Sequence, residues 1–215
     1  MELVNAISRS RYGIFKWRYE LTLAKKMALA LGMACLIGVL AQVRFYIPWS
    51  PVPITGQTFA VLMAGVLMGR RWGGISIAVY AAIGAAGVPW FTPQAGMPIF
   101  SAGGISHLAG PTGGYIVGFI LAALFLGYFT DKYVKTRGFF GMLGLMLFAS
   151  LVLIYVPGLI WLGLWLNLVS GTPTTIAAVI TMGAVPFIAG DIFKTLMAAA
   201  ATKVITPKED YTKGN

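Results

Sequence analysis

The chain has 215 residues, 58% of them apolar and only 10% charged, with a formal net charge of +10. An average soluble domain is about a quarter charged, so this composition excludes a water-soluble fold, which could not hide so much apolar surface. The length accommodates about six spans of about 20 residues in one membrane domain and leaves no room for a separate catalytic domain.

The first 26 residues mix Arg9, Arg11, Lys16, Arg18, Glu20, Lys25 and Lys26 with scattered aromatics. They lack the short apolar core and small-residue cleavage site of a secretory signal. Residues 1–23 are therefore expected to form a cytoplasmic segment, with an interfacial helix as one form it could take. Residues 24–203 are expected to form the membrane domain, and 204–215 a cytoplasmic tail. Apolar runs at 27–45, 56–69, 72–88, 112–130, 139–163 and 176–202 predict an all-α membrane protein of six transmembrane helices.

The first helix carries two stripes of small residues at every fourth position: Ala30, Ala34 and Gly38, and Ala24, Ala28 and Gly32. Such faces let another helix backbone approach, either inside the bundle or from a partner subunit. Cys35, the single cysteine, excludes an intrachain disulfide and is expected to serve packing. The second run is short, and Pro51, Pro53 and Gly56 precede it, so the chain is expected to enter the membrane as irregular backbone facing a protein-lined cavity.

Orientation follows from the basic residues, which favour cytoplasmic ends. With both termini inside, all but two of the 16 basic residues are cytoplasmic: Arg44 lies outside and Lys194 lies within a span. Contact with anionic headgroups in the lipid bilayer then accounts for the net charge, and no nucleic acid is needed.

From Trp72 to Thr130 there is no Asp, Glu, Lys or Arg. The long connection between the third and fourth runs, rich in Gly, Pro and aromatics, is thus expected to fold as a lid over a cavity rather than wave in water. Within it, Trp90 and Phe91 could clamp an apolar ring or chain, or simply pack the lid. His107 has no second histidine or acid cluster near it in sequence, so a metal site is not expected. The glycine-rich segments lack a following Lys-Ser/Thr, so no phosphate loop is present and the chain is not expected to hydrolyse ATP.

The last run contains Asp191 and Lys194, three apart and hence neighbours on one helix face. A charge in hydrocarbon costs at least about 2.5 to 3.5 kcal/mol, so such a pair is either a structural ion pair or a site. A carboxylate accepts from an N–H-bearing headgroup, and a lysine attracts a carboxylate. Gln57, at the broken entrance to the second run, and Tyr115, in the first turn of the fourth, are further candidates, although both are residue types common at interfaces.

Five ordered motifs resemble the BioY family: Ser50-Pro51-Val52-Pro53-Ile54-Thr55-Gly56-Gln57-Thr58, Gly69-Arg70-Arg71-Trp72-Gly73, Gly84-Ala85-Ala86-Gly87-Val88-Pro89, Gly110-Pro111-Thr112-Gly113-Gly114-Tyr115, and Pro186-Phe187-Ile188-Ala189-Gly190-Asp191 with Lys194. These are the biotin-binding S components of energy-coupling factor transporters. The resemblance spans about residues 24–203 and implies a six-helix S-component bundle that binds biotin near the outer face. It also implies a membrane coupling protein and two cytoplasmic ATPases as partners. By the resemblance, Asp191 faces the ureido ring, Lys194 the carboxylate, and Ala30 and Ala34 the coupling protein; no cofactor is implied. Some members place an asparagine in the lid against the ureido group. This lid has none, Ala102 standing near that position, and Gln94, Ser101, Ser106 and His107 are its polar candidates. The readings from other classes are an ion-coupled carrier working alone and an intramembrane enzyme.

Overall fold

The computed structural model describes residues 2–211; Met1 and residues 212–215, which include Lys213 and the end of the expected tail, lie outside the described residues. Helix α1 (Glu2–Glu20) leads into α2 (Leu23–Gln42). A two-residue ribbon follows, β1 (Arg44–Phe45) antiparallel to β2 (Ile54–Thr55), with Arg44 opposite Thr55 and Phe45 opposite Ile54. This ribbon is an addition to the expected all-helical architecture. It folds the Pro51-Pro53 segment back so that α3 (Gln57–Ala85) starts inside the bundle. The lid carries the single turn α4 (Ile105–Leu108) and gives way to α5 (Gly113–Lys132).

The remaining chain makes two long helical stretches. Phe139–Val169 comprises α6 (Phe139–Phe148) and α7 (Tyr155–Leu164), each followed by a wide π-helical turn. Ile176–Ile205 comprises α8 (Ile176–Gly183) and α9 (Val185–Ile205), which bend at Ala184 just ahead of Pro186. Among the described residues, these two stretches with α2 and α5 are the four helices long and apolar enough to cross a bilayer. Large apolar side chains such as Leu36, Val117, Leu121, Phe148, Val156, Ile160 and Phe193 point outward, as a bilayer solvent requires.

The runs 56–69 and 72–88 join as α3, interrupted at Gly69, whose φ of 78° is left-handed. At the break, the first half has free carbonyls and the second half free N–H groups. Arg18 donates to the carbonyls of Val66 (3.1 Å) and Leu67 (2.9 Å), and Asp131 Oδ2 accepts from Arg70 N (2.7 Å). Arg18 and Asp131 pair with each other at 2.7 Å. One ion pair thus caps both ends, with the cation at a helix C-terminus and the anion at an N-terminus, each complementing the local dipole. Tyr211 joins it, its hydroxyl donating to Asp131 Oδ1 (2.6 Å), and Arg137 holds the carbonyls of Pro207 and Glu209.

Helix α2 corrects two expectations. Ala30 and Ala34 are fully buried within this chain, because their face of α2 turns into the bundle, and Gly38 on the same face abuts Trp90. The other stripe, Ala24, Ala28 and Gly32, is exposed. Cys35 is exposed beside it rather than packed.

Candidate functional site

The irregular entry to α3, the lid, α5, the π turn ahead of α7, and α9 converge on a cavity of about 720 Å³, its open mouth included. Asp191 sits in the second turn of α9 and is 4% exposed. Its Oδ2 accepts from the Tyr155 hydroxyl at 2.5 Å. Its Oδ1 faces Lys194 Nζ at 2.5 Å in an ion pair and is itself buried, with no aligned hydrogen bond. Lys194 Nζ also donates to the carbonyl of Thr55, which β2 offers because the proline-rich segment has no helix of its own there.

Tyr155 owes its place to the π turn at Ala149–Ile154, where the extra backbone width re-aims the next side chains, a distortion often found at functional sites. Tyr115 stands edge-on to it with ring centroids 6.5 Å apart, and its hydroxyl donates to the carbonyl of Gly183 (2.7 Å). Gly158 and Gly183 make room for this tyrosine, since a Cβ at either would strike its ring or hydroxyl.

A second polar cluster occupies the lid side. Gln57 donates to the Tyr80 hydroxyl (2.9 Å), and its Oε1 accepts from Thr92 (3.2 Å) and Thr55 (3.3 Å). His107 Nδ1 lies 3.0 Å from the carbonyl of Gly103, to which it can only donate. Phe91, Ile116, Phe119 and Phe187 supply apolar walls. The cavity thus offers few polar groups on an apolar lining, the usual composition of a small-molecule site.

Asp191, Lys194, Gln57, Tyr115, His107 and Phe91 all line this cavity. Trp90 is buried behind it, stacked on Tyr80 with Nε1 donating to the Tyr80 carbonyl (3.0 Å). Ser101 is exposed, donates to the carbonyl of Pro98 and does not line the cavity. Ala102 is buried in bridges to Trp90 and Phe91, and of the four polar lid candidates His107 alone reaches the lining.

Sequence reasoning missed Tyr155, Thr92 and Tyr80, and also the clamp on the lid. Gln42, at the end of α2, donates to the carbonyls of Gly38, Trp90 and Phe91 and accepts from Phe100 N (2.9 Å). Arg44 donates to the carbonyl of Met97 (2.7 Å), and the Tyr46 hydroxyl donates to the carbonyl of Pro93. Burial pushes the Tyr46 phenol up, with nearby Arg44 opposing. Gln42 and Arg44 are the detectable signals, as isolated polar groups closing an apolar run.

A family model for the BioY family matches residues 12–209. The chain belongs to the BioY family. BioY relatives extend over most of the chain. A probable biotin transporter BioY of Methanothermobacter thermautotrophicus is 52% identical over 69% of this chain and 90% of its own. Another from Pyrococcus horikoshii is 35% identical over 85% and 93% respectively. The biotin transporter BioY of Thermotoga maritima is 33% identical over 71% and 80%. The crystal structure of an S-component for biotin from an ECF-type ABC transporter superposes with a TM-score of 0.71 at 25% identity, covering 85% of this chain and 93% of that one.

Proposed function

We propose that this BioY chain captures biotin for an energy-coupling factor transporter as a membrane subunit with no catalysis of its own. The observation that carries the reading is the pair of buried Asp191 and half-buried Lys194, lining a largely apolar cavity in a chain of this family. With Nζ and Oδ1 2.5 Å apart, the pair presents a donor and an acceptor on adjacent atoms. A ureido group offers the complement on adjacent atoms, its N–H donating to Asp191 and its oxygen accepting from Lys194. Assigning Lys194 to the distant carboxylate would require the pair to separate. The ring and chain of the ligand lie against Phe91, Tyr115, Phe119 and Phe187, with Gln57, Thr92 and His107 closing the lid side.

Counting the two halves of α3 separately gives six membrane passes with both termini cytoplasmic, the orientation that the basic residues favour. A membrane coupling protein and two cytoplasmic ATPases energise release. The exposed stripe of Ala24, Ala28 and Gly32, rather than buried Ala30 and Ala34, is the face of α2 that the coupling protein meets.

Calorimetric titration of the purified protein with biotin, thiamin, riboflavin and lipoate tests the reading. Biotin is expected to bind at one per chain, and Asp191→Asn and Lys194→Ala are each expected to weaken it by about 10- to 100-fold, the scale of a charge-assisted hydrogen bond. Binding of another vitamin in its place overturns the substrate, and unchanged biotin affinity in both variants overturns the site.

A further inference from the structure

A second concavity lies at the end of the bundle where α1 ends, α2 begins, α3 breaks and α5 ends, and it shares no lining residue with the biotin cavity. Arg18 and Asp131 line it but neutralise each other. Lys26, Arg70, Arg71 and Lys132 remain, and among the described residues the lining of the groove offers no further carboxylate. Three of them contact neutral groups: Lys26 donates to the carbonyl of Tyr19 (2.8 Å), Lys132 donates to the Tyr128 hydroxyl (2.6 Å), and Arg70 lies over the Tyr128 ring. Four like charges around one concavity focus a positive potential into it.

The surroundings are those of a membrane interface. Lys132 is the last residue of α5, so the groove lies where a spanning helix leaves the hydrocarbon. Trp72 lines it, an indole being favoured at headgroup depth. Alongside, α1 exposes Ile7, Ile14 and Trp17 and also carries Arg9, Arg11 and Lys16, the make-up of a helix lying in the interface plane. We propose that the groove binds the phosphate of an anionic phospholipid headgroup, with the acyl chains running beside the apolar outer face of the bundle. A free phosphate would satisfy the cations and leave the apolar flank unused.

The full chain, delipidated in detergent, is offered phosphatidylglycerol, phosphatidylcholine or inorganic phosphate, and retained ligand is read by native mass spectrometry. Phosphatidylglycerol is expected as a discrete adduct, preferred over phosphatidylcholine. Arg71→Gln and Lys132→Gln, both at exposed positions, are each expected to weaken it on the order of fivefold, while Arg71→Lys retains it. Unchanged biotin binding in these variants confirms the fold. Equal retention of phosphatidylcholine, or indifference to both Gln substitutions, overturns the proposal. Displacement by millimolar inorganic phosphate assigns the site to a free anion and overturns the lipid. Loss of coupling-protein co-purification with lipid retention intact assigns the groove to that protein and likewise overturns it.

Discussion

Asp191 was conspicuous in sequence because an ionisable group in an apolar run has a desolvation cost that something must offset. Tyr155 was not conspicuous, since a tyrosine among apolar residues reads as packing, and only the π turn brings it within 2.5 Å of the carboxylate. This hydroxyl orients Asp191 and occupies one of its two oxygens. Tyr155→Phe is expected to weaken biotin binding by about 5- to 50-fold, less than Asp191→Asn, as measured by calorimetry. Ligand chemistry separates the two roles open to Lys194. If Lys194 serves the ureido oxygen, biotin methyl ester binds the native protein within a few-fold of biotin, and Lys194→Ala weakens both alike. A loss for the ester as large as that for Lys194→Ala would move the lysine to the carboxylate.

At the level of elements, the apolar runs located the helices but gave no hint of how α3 is joined, because Arg70-Arg71 after Gly69 reads equally as a loop or as a kink. Two capping residues distant in sequence, Arg18 and Asp131, decide in favour of a kink, and no local pattern could announce them. Likewise, the two small-residue stripes of α2 have the same spacing, and only the packed bundle distinguishes the buried face from the exposed one. At Gly69 a Cβ would meet the Asp131 carboxylate and Arg18 at a left-handed φ, so Gly69→Ala is expected to lower thermal stability by about 1–3 kcal/mol. Arg18→Ala and Asp131→Asn should be strongly non-additive in a double-mutant cycle, because each leaves the other without its partner. Burial pushes the Tyr211 phenol up, with the Asp131 carboxylate adding to it and Arg18 opposing. A phenol raised on folding contributes stability that is complete below its unfolded pKa of about 10 and is lost as pH rises above that. Limited proteolysis of the C-terminal segment should therefore accelerate above about pH 10 in the native chain, and lose that component in Tyr211→Phe.

At the scale of the whole molecule, the charge distribution separates two ends. One end holds a cavity beneath an uncharged lid that Gln42 of α2 and Arg44 of β1 pin in place, suited to retaining a solute. The other holds most of the basic residues and the network around Arg18, Asp131, Arg137 and Tyr211. On the proposed reading the chain binds the solute and does not itself drive transport, Asp191 in the cavity being engaged by Tyr155 and Lys194. Purified protein in liposomes should therefore bind biotin yet accumulate none under a proton or sodium gradient, and accumulation would establish a carrier acting alone. Transport should instead need a partner on α2. Gly32, with open space where its Cβ would stand, can accept a large side chain without disturbing the chain itself. Gly32→Leu is accordingly expected to leave biotin affinity unchanged while abolishing co-purification with the coupling protein and uptake in cells. The same substitution at Ala34, inside the bundle, should damage folding and binding together, and the contrast between the two faces is what assigns the docking surface.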